Sequence, residues 1–180
     1  MHPTGSVEQQ MKTEDTRKAA VDLYWLALLL TGSRDISIDI AADAAASEDD
    51  VNPFFVDWMH GWQRRLVIAK ALTAIHGELA DSARRTEIVQ ASRSGTPRNW
   101  SLSPDTTKAD LEPALLAIDL FPRATLLLLV FEGMQIADAA TLLDTDPDLL
   151  KKAEAIGLRE LTANLAATKA TAVSAPPRRS

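Results

Sequence analysis

The sequence predicts an all-α protein, two small helical domains joined by a linker, the C-terminal one a four-helix domain of helix-turn-helix type. Three observations predict it. Apolar residues recur at three- and four-residue spacing, as at Leu23, Leu26 and Leu30, and no stretch alternates like a half-buried strand. Gly32, Pro53, Pro122, Gly133 and Pro147 stand at the ends of these stretches, where they start or stop helices. Between Ser92 and Thr107 the composition shifts to polar residues with Gly95, Pro97 and Pro104, which reads as a linker. The expected division is a disordered start over 1–16, a helical domain over 17–91, a linker over 92–109, a second helical domain over 110–168 and a disordered tail over 169–180.

The elements follow in order. A first helix begins near Thr16 and stops at Thr31-Gly32-Ser33, with Gly32 in the left-handed stop position. A second runs from Asp35 to Ala46, with Ile36, Ile40 and Ala44 as its buried stripe. After the acidic turn Ser47-Glu48-Asp49-Asp50, Asn52-Pro53 opens a long third helix over about 53–80. Its start is aromatic (Phe54, Phe55, Trp58, Trp62), and it continues through Leu66, Ile68, Leu72 and Ile75. A fourth helical stretch spans about 78–92. Beyond the linker, Asp110 to Ile118 forms a helix, and Pro122 starts another that carries Leu126 to Phe131 and stops at Gly133. A short helix from Ile136 to Leu143 follows. Asp146 is then the N-cap and Pro147 the first residue of the last helix, which runs to about Ala167.

Composition narrows the function. The formal net charge is −6, which disfavours non-specific nucleic-acid binding by the chain as a whole. Positive charge gathers in the middle, where Arg64, Arg65, Lys70, Arg84, Arg85, Arg93 and Arg98 outnumber Glu78, Asp81 and Glu87. No apolar run approaches the roughly 20 residues of a membrane span, and the polar start lacks a signal-peptide core, so no membrane insertion is expected. The absence of cysteine excludes disulfides and thiolate metal sites and fits a cytoplasmic protein. His2, His60 and His76 make no ligand set, and no nucleophile–base pattern, phosphate loop or metal spacing is present. The expectation is a protein that is not an enzyme and needs no cofactor.

The densest signal is Pro122 to Gly133, then Ile136 to Leu143, a four-residue turn and a further helix. Two helices joined by a tight turn match a helix-turn-helix unit, with Ala139 and Ala140 small enough for a close crossing. The same pattern also fits an ordinary helical hairpin. Over about 112–165 the chain resembles the promoter-binding domain of extracytoplasmic-function (ECF) bacterial sigma factors, including the Glu132-Gly133 stop and the alanine-rich helix ending Leu142-Leu143. Leu23 to Asp35 is similar to the opening helix and turn of that family's first domain, and the two likenesses occur in the family's order.

The resemblance implies a dissociable specificity subunit that directs core RNA polymerase to promoter DNA and is held by an anti-sigma factor. Lys151, Lys152, Ala155 and Arg159 would then read the upstream element from the last helix. Trp58, Trp62, Arg64, Arg65 and Lys70 would meet the melted strand, and Asp39 and Asp43 the polymerase. The tryptophans fit core packing as well as base stacking, and the basic run fits a solvated helix face.

The sequence also departs from the family. Asp144, Asp146 and Asp148 make the start of the last helix acidic where phosphate would lie. Asp144 replaces the turn glycine, Gly157 interrupts the helix, and the expected clamp-binding helix is thinned to alanine around Asp39 and Asp43. These departures point to an alternative: a degenerate sigma-like protein that no longer reads DNA and acts by protein contact.

Overall fold

A computed structural model describes residues 5–46, 56–89 and 100–173. All regular structure among them is helical: α1 (Gly5–Thr31), α2 (Arg34–Ala45), α3 (Val56–Ala74), α4 (His76–Ile88), α5 (Lys108–Leu116), α6 (Leu120–Leu126, extended by a widened turn over Leu127–Phe131), α7 (Ile136–Leu142) and α8 (Pro147–Val173). They form two compact units, Met1–Ile75 and His76–Ser180. No helix among the described residues is long and apolar enough to cross a membrane.

In the first unit, α1, α2 and α3 pack pairwise. The core joins Leu26, Ala27, Leu29 and Leu30 of α1 to Ile40, Ala41 and Ala44 of α2 and to Val67, Ile68, Ala71 and Leu72 of α3. The α1–α2 turn is made as expected: Gly32 has φ 71° and its N–H donates to Leu28 O at 2.8 Å. The buried stripe of α2 differs from expectation. Ser37 is fully buried and Ile36 is part-exposed. The Ser37 hydroxyl meets Thr31 Oγ1 at 3.0 Å and donates to Ser33 O, so its polar group is satisfied inside the corner and leucine-like burial is unnecessary there.

Three boundaries also move. Helix α1 begins at Gly5, within the stretch expected to be disordered over 1–16, where Glu8, Gln9, Gln10, Met11 and Lys12 are good helix formers. The third helix ends at Ala74 and the fourth begins at His76, so the break expected near 78–80 falls earlier. Helix α8 continues to Val173, past the expected tail boundary at 169. The Asn52-Pro53 start and the first part of the 92–109 linker lie outside the described residues.

The second unit contains α4 to α8. The linker signal at 92–107 groups α4 with the N-terminal helices, whereas in the structure α4 packs on α6 and α8. Its inner face is Leu79, Ser82 and Thr86, all buried. Two small hydroxyl residues and one leucine give it a weak apolar signature, which is why the sequence alone misassigns it.

Helix α6 starts at Leu120 with Asp119 as N-cap, not at Pro122. Pro122 stands in the first turn, where its missing N–H costs no helical hydrogen bond. Arg123, also in α6, is 7% exposed, and its guanidinium donates to Leu116 O and Ile118 O, each at 3.1 Å, closing the end of α5. Burial holds its pKa below the usual arginine value.

Helix α8 crosses α6 at Gly157. A Cβ there would lie 2.5 Å from Leu126 Cδ1 and 3.0 Å from Pro122 O. A methyl group does not fit between the helices, so this glycine is what allows the close approach.

Candidate nucleic-acid interface

The α7–α8 corner is built from short-range rules. Ala139 and Ala140 are buried under α8, together with Leu143, Leu150 and Ala153. Asp144 takes the left-handed conformation with φ 47°, standing where a glycine would be unstrained. Asp146 Oδ1 accepts from the Asp148 N–H at 2.7 Å, and Pro147 is the first residue of α8, as the sequence predicted.

The four residues expected to read DNA share α8 but differ in exposure. Lys151 and Arg159 are exposed, whereas Lys152 and Ala155 are half-buried. Lys151 pairs with Asp148 at 2.8 Å, both side chains largely in solvent. The hydrogen bond from Lys151 pulls the Asp148 carboxyl below the usual range and raises the lysine in turn. Lys152 turns toward α4, where its ammonium donates to Glu87 O at 2.7 Å. This is a cation on the last carbonyls of a helix, a favourable arrangement for both. Of the three cations, Arg159 is exposed and Lys151 is shared with a carboxylate one turn earlier.

In the first unit, α3 presents Gly61, Trp62, Arg65, Ala69 and Thr73 on one exposed face. Trp62 is 39% exposed, which places it at the surface and not in the core. Arg65 lies beside it one turn on, while Arg64 is half-buried. Lys70 reaches across to α2 and bonds Asp43 at 2.6 Å, so two residues expected to meet different partners are joined to each other. Trp58 falls in the first turn of α3, and its side chain lies outside the described residues.

Helix α2 exposes Asp35, Ile38, Asp39, Ala42 and Asp43 along one side. Ile38, 56% exposed, was not singled out from the sequence. The signal for it was available: Ile38 lies three residues after Asp35 and four before Ala42, on the polar side of the helix. Ser82 and Asp119, which join α4 to α6, were also missed, since nothing local in the sequence links them.

Residues 100–106 run along the C-terminal half of α8. Trp100 Nε1 donates to Thr162 Oγ1 at 3.2 Å, and a cleft of about 240 Å³ lies between Trp100, Leu102, Thr162 and Leu165. Among the described residues there is no group of three or more His, Asp or Glu side chains placed to hold a metal ion. No family model, curated protein or solved structure matches the chain.

Proposed function

We propose that this chain is a sigma-factor-like protein of the ECF type, a dissociable subunit that binds core RNA polymerase and directs it to promoters. The observation that carries this reading is the α7–turn–α8 corner. Its buried alanines, left-handed Asp144 and capped α8 leave Lys151 and Arg159 on the outward side of the second helix. A reading helix needs its inner stripe packed and its outer cations free to meet phosphate and base edges. The exposed Trp62–Arg65 pair supports a second contact with unpaired bases, by stacking and charge together. The acidic, part-apolar side of α2 around Ile38 and Asp39 supports a protein contact there.

One observation favours the second reading, a sigma-like protein that acts by protein contact alone. Lys151 is paired with Asp148 and Lys152 with the α4 carbonyl, so little positive charge remains for phosphate.

Pull-down of core RNA polymerase by the purified chain, followed by run-off transcription, separates the two. Capture with a specific transcript supports the first reading. Capture of polymerase or of an anti-sigma factor without any transcript supports the second, and no capture of either refutes both. Asp39→Arg is expected to abolish polymerase capture while leaving the helical content unchanged by circular dichroism.

A further inference from the structure

The first turn of a helix has backbone N–H groups with no partner inside the helix. In α6 the helical ladder begins with Arg123 N–H on Asp119 O at 3.0 Å, which leaves residues 120–122. Asp119 Oδ1 accepts from Leu120 N–H at 2.9 Å, and Pro122 has no N–H. The remaining donor, Phe121 N–H, bonds Ser82 Oγ at 2.8 Å in a buried setting. Ser82 belongs to α4. Helix α4 thus supplies a cap to α6 from outside.

The exchange runs the other way at the end of α4. There Lys152 of α8 caps Glu87 O. Between these two bonds, Arg85 grips Asp119 with two nitrogens, Nε to Oδ2 at 3.1 Å and Nη2 to Oδ1 at 2.8 Å. The apolar part of the seam is small, with Leu79 as its one large buried side chain among the α4 residues. An element held by a few polar bonds and little apolar area opens more readily than the core it covers.

We propose that α4 is a releasable clasp: docked on α6 and α8 it holds Lys152 away from nucleic acid, and its release frees that lysine for phosphate. The proposal rests on the DNA-reading function proposed above. In the docked state Lys152 neutralises a carbonyl dipole. In the released state Phe121 N–H and Glu87 O are satisfied by water, and the ammonium gains the outward side of α8. A partner that binds released α4 more tightly than docked α4 would therefore raise the affinity of α8 for duplex DNA, since a ligand shifts an equilibrium only by its differential affinity for the two states.

The chain has no cysteine, so Thr86→Cys in the full chain gives a single reporter thiol at a residue 3% exposed in the docked state. Its labelling by a chromogenic disulfide under native conditions reads the opening of α4. Adding Ser82→Ala removes the acceptor for Phe121 N–H only when α4 is docked, and is expected to speed labelling about five-fold or more. The opening constant should also exceed the global unfolding constant found by urea titration of the same variant.

In the same background, affinity for a duplex DNA oligonucleotide should rise, and its salt dependence should steepen by about one phosphate contact. Lys152→Ala should cancel that gain. Unchanged labelling, or labelling no faster than global unfolding, overturns the clasp while leaving DNA reading intact. Faster labelling with a DNA gain that survives Lys152→Ala overturns the masking of that lysine. Faster labelling with no duplex binding in any variant overturns both the clasp and the DNA reading.

Discussion

Replacing Gly157 with alanine sets two effects of similar size against each other. Alanine is favoured over glycine in a helix interior by about 1 kcal/mol. In α8 the added methyl meets Leu126 Cδ1 at 2.5 Å and Pro122 O at 3.0 Å. Pro122 O is backbone in the first turn of α6 and cannot give without shifting the helix, and the Leu126 methyl, fully buried, can give only by leaving its packed position. Overfilling a packed site costs about 1–3 kcal/mol. The balance is a net loss near 1 kcal/mol. With a urea m-value of about 2 kcal/mol/M, that loss lowers the midpoint by about 0.5 M without changing the slope.

Gly61 of α3 provides the control, because a Cβ there meets nothing within 4 Å. Gly61→Ala should raise stability by up to about 1 kcal/mol. Urea titration followed by circular dichroism compares the two directly. If Gly157→Ala stabilises the protein as much as Gly61→Ala does, the close α6–α8 crossing is wrong.

Other perturbations have equally definite outcomes. Arg123→Met should destabilise the second unit by about 2 kcal/mol or more, since Leu116 O and Ile118 O lose their donor inside the fold; a shift in the urea midpoint measures it. Asp144→Gly should stabilise by about 1 kcal/mol by relieving the left-handed strain at φ 47°, read as a rise in Tm of about 4 °C. Asp119 is held below the usual carboxylate range by the hydrogen bond from Arg85. Because its folded pKa is depressed, the stability it contributes is full above the unfolded carboxylate pKa and is lost as the pH falls through the lowered one. Arg85→Ala should return the Asp119 titration, followed by NMR of its carboxyl carbon, toward the ordinary range.

Local signals in the sequence marked the corners well, and tertiary ones were hidden. Gly32, Asp146 and Pro147 behave as a reader of turns and caps expects, because those effects act within a few residues of chain. Ile36 and Ser37 show the opposite case. Periodicity assigned the buried position to the larger apolar side chain, yet a hydroxyl bonded to Thr31 and Ser33 fills it. The allegiance of α4 was invisible for a similar reason, since Ser82 and Arg85 find Phe121 and Asp119 only once the chain has folded. For the candidate surface, the sequence named Lys151, Lys152 and Arg159 together, but only the folded arrangement separates an exposed arginine from a lysine bonded to a neighbouring helix. Gly157 looked like a defect in its own helix and turned out to serve the partner helix, a relation no single-helix reading contains.

The widened turn at Leu127–Phe131 closes with Glu132 N–H on Leu127 O, five residues back, and Met134 N–H reaches Leu128 O around Gly133 at φ 65°. A loop of this pitch holds one residue more than a regular helix does over the same rise. Taking out any one residue between 127 and 131 would let the segment relax to ordinary pitch at no cost in local hydrogen bonds. Everything downstream would then keep its rotational phase, because the residue removed is the one the wide turn had absorbed. The alanines of α7 would stay on the surface they now meet, so this short stretch takes up one surplus residue without disturbing the orientation of the C-terminal corner.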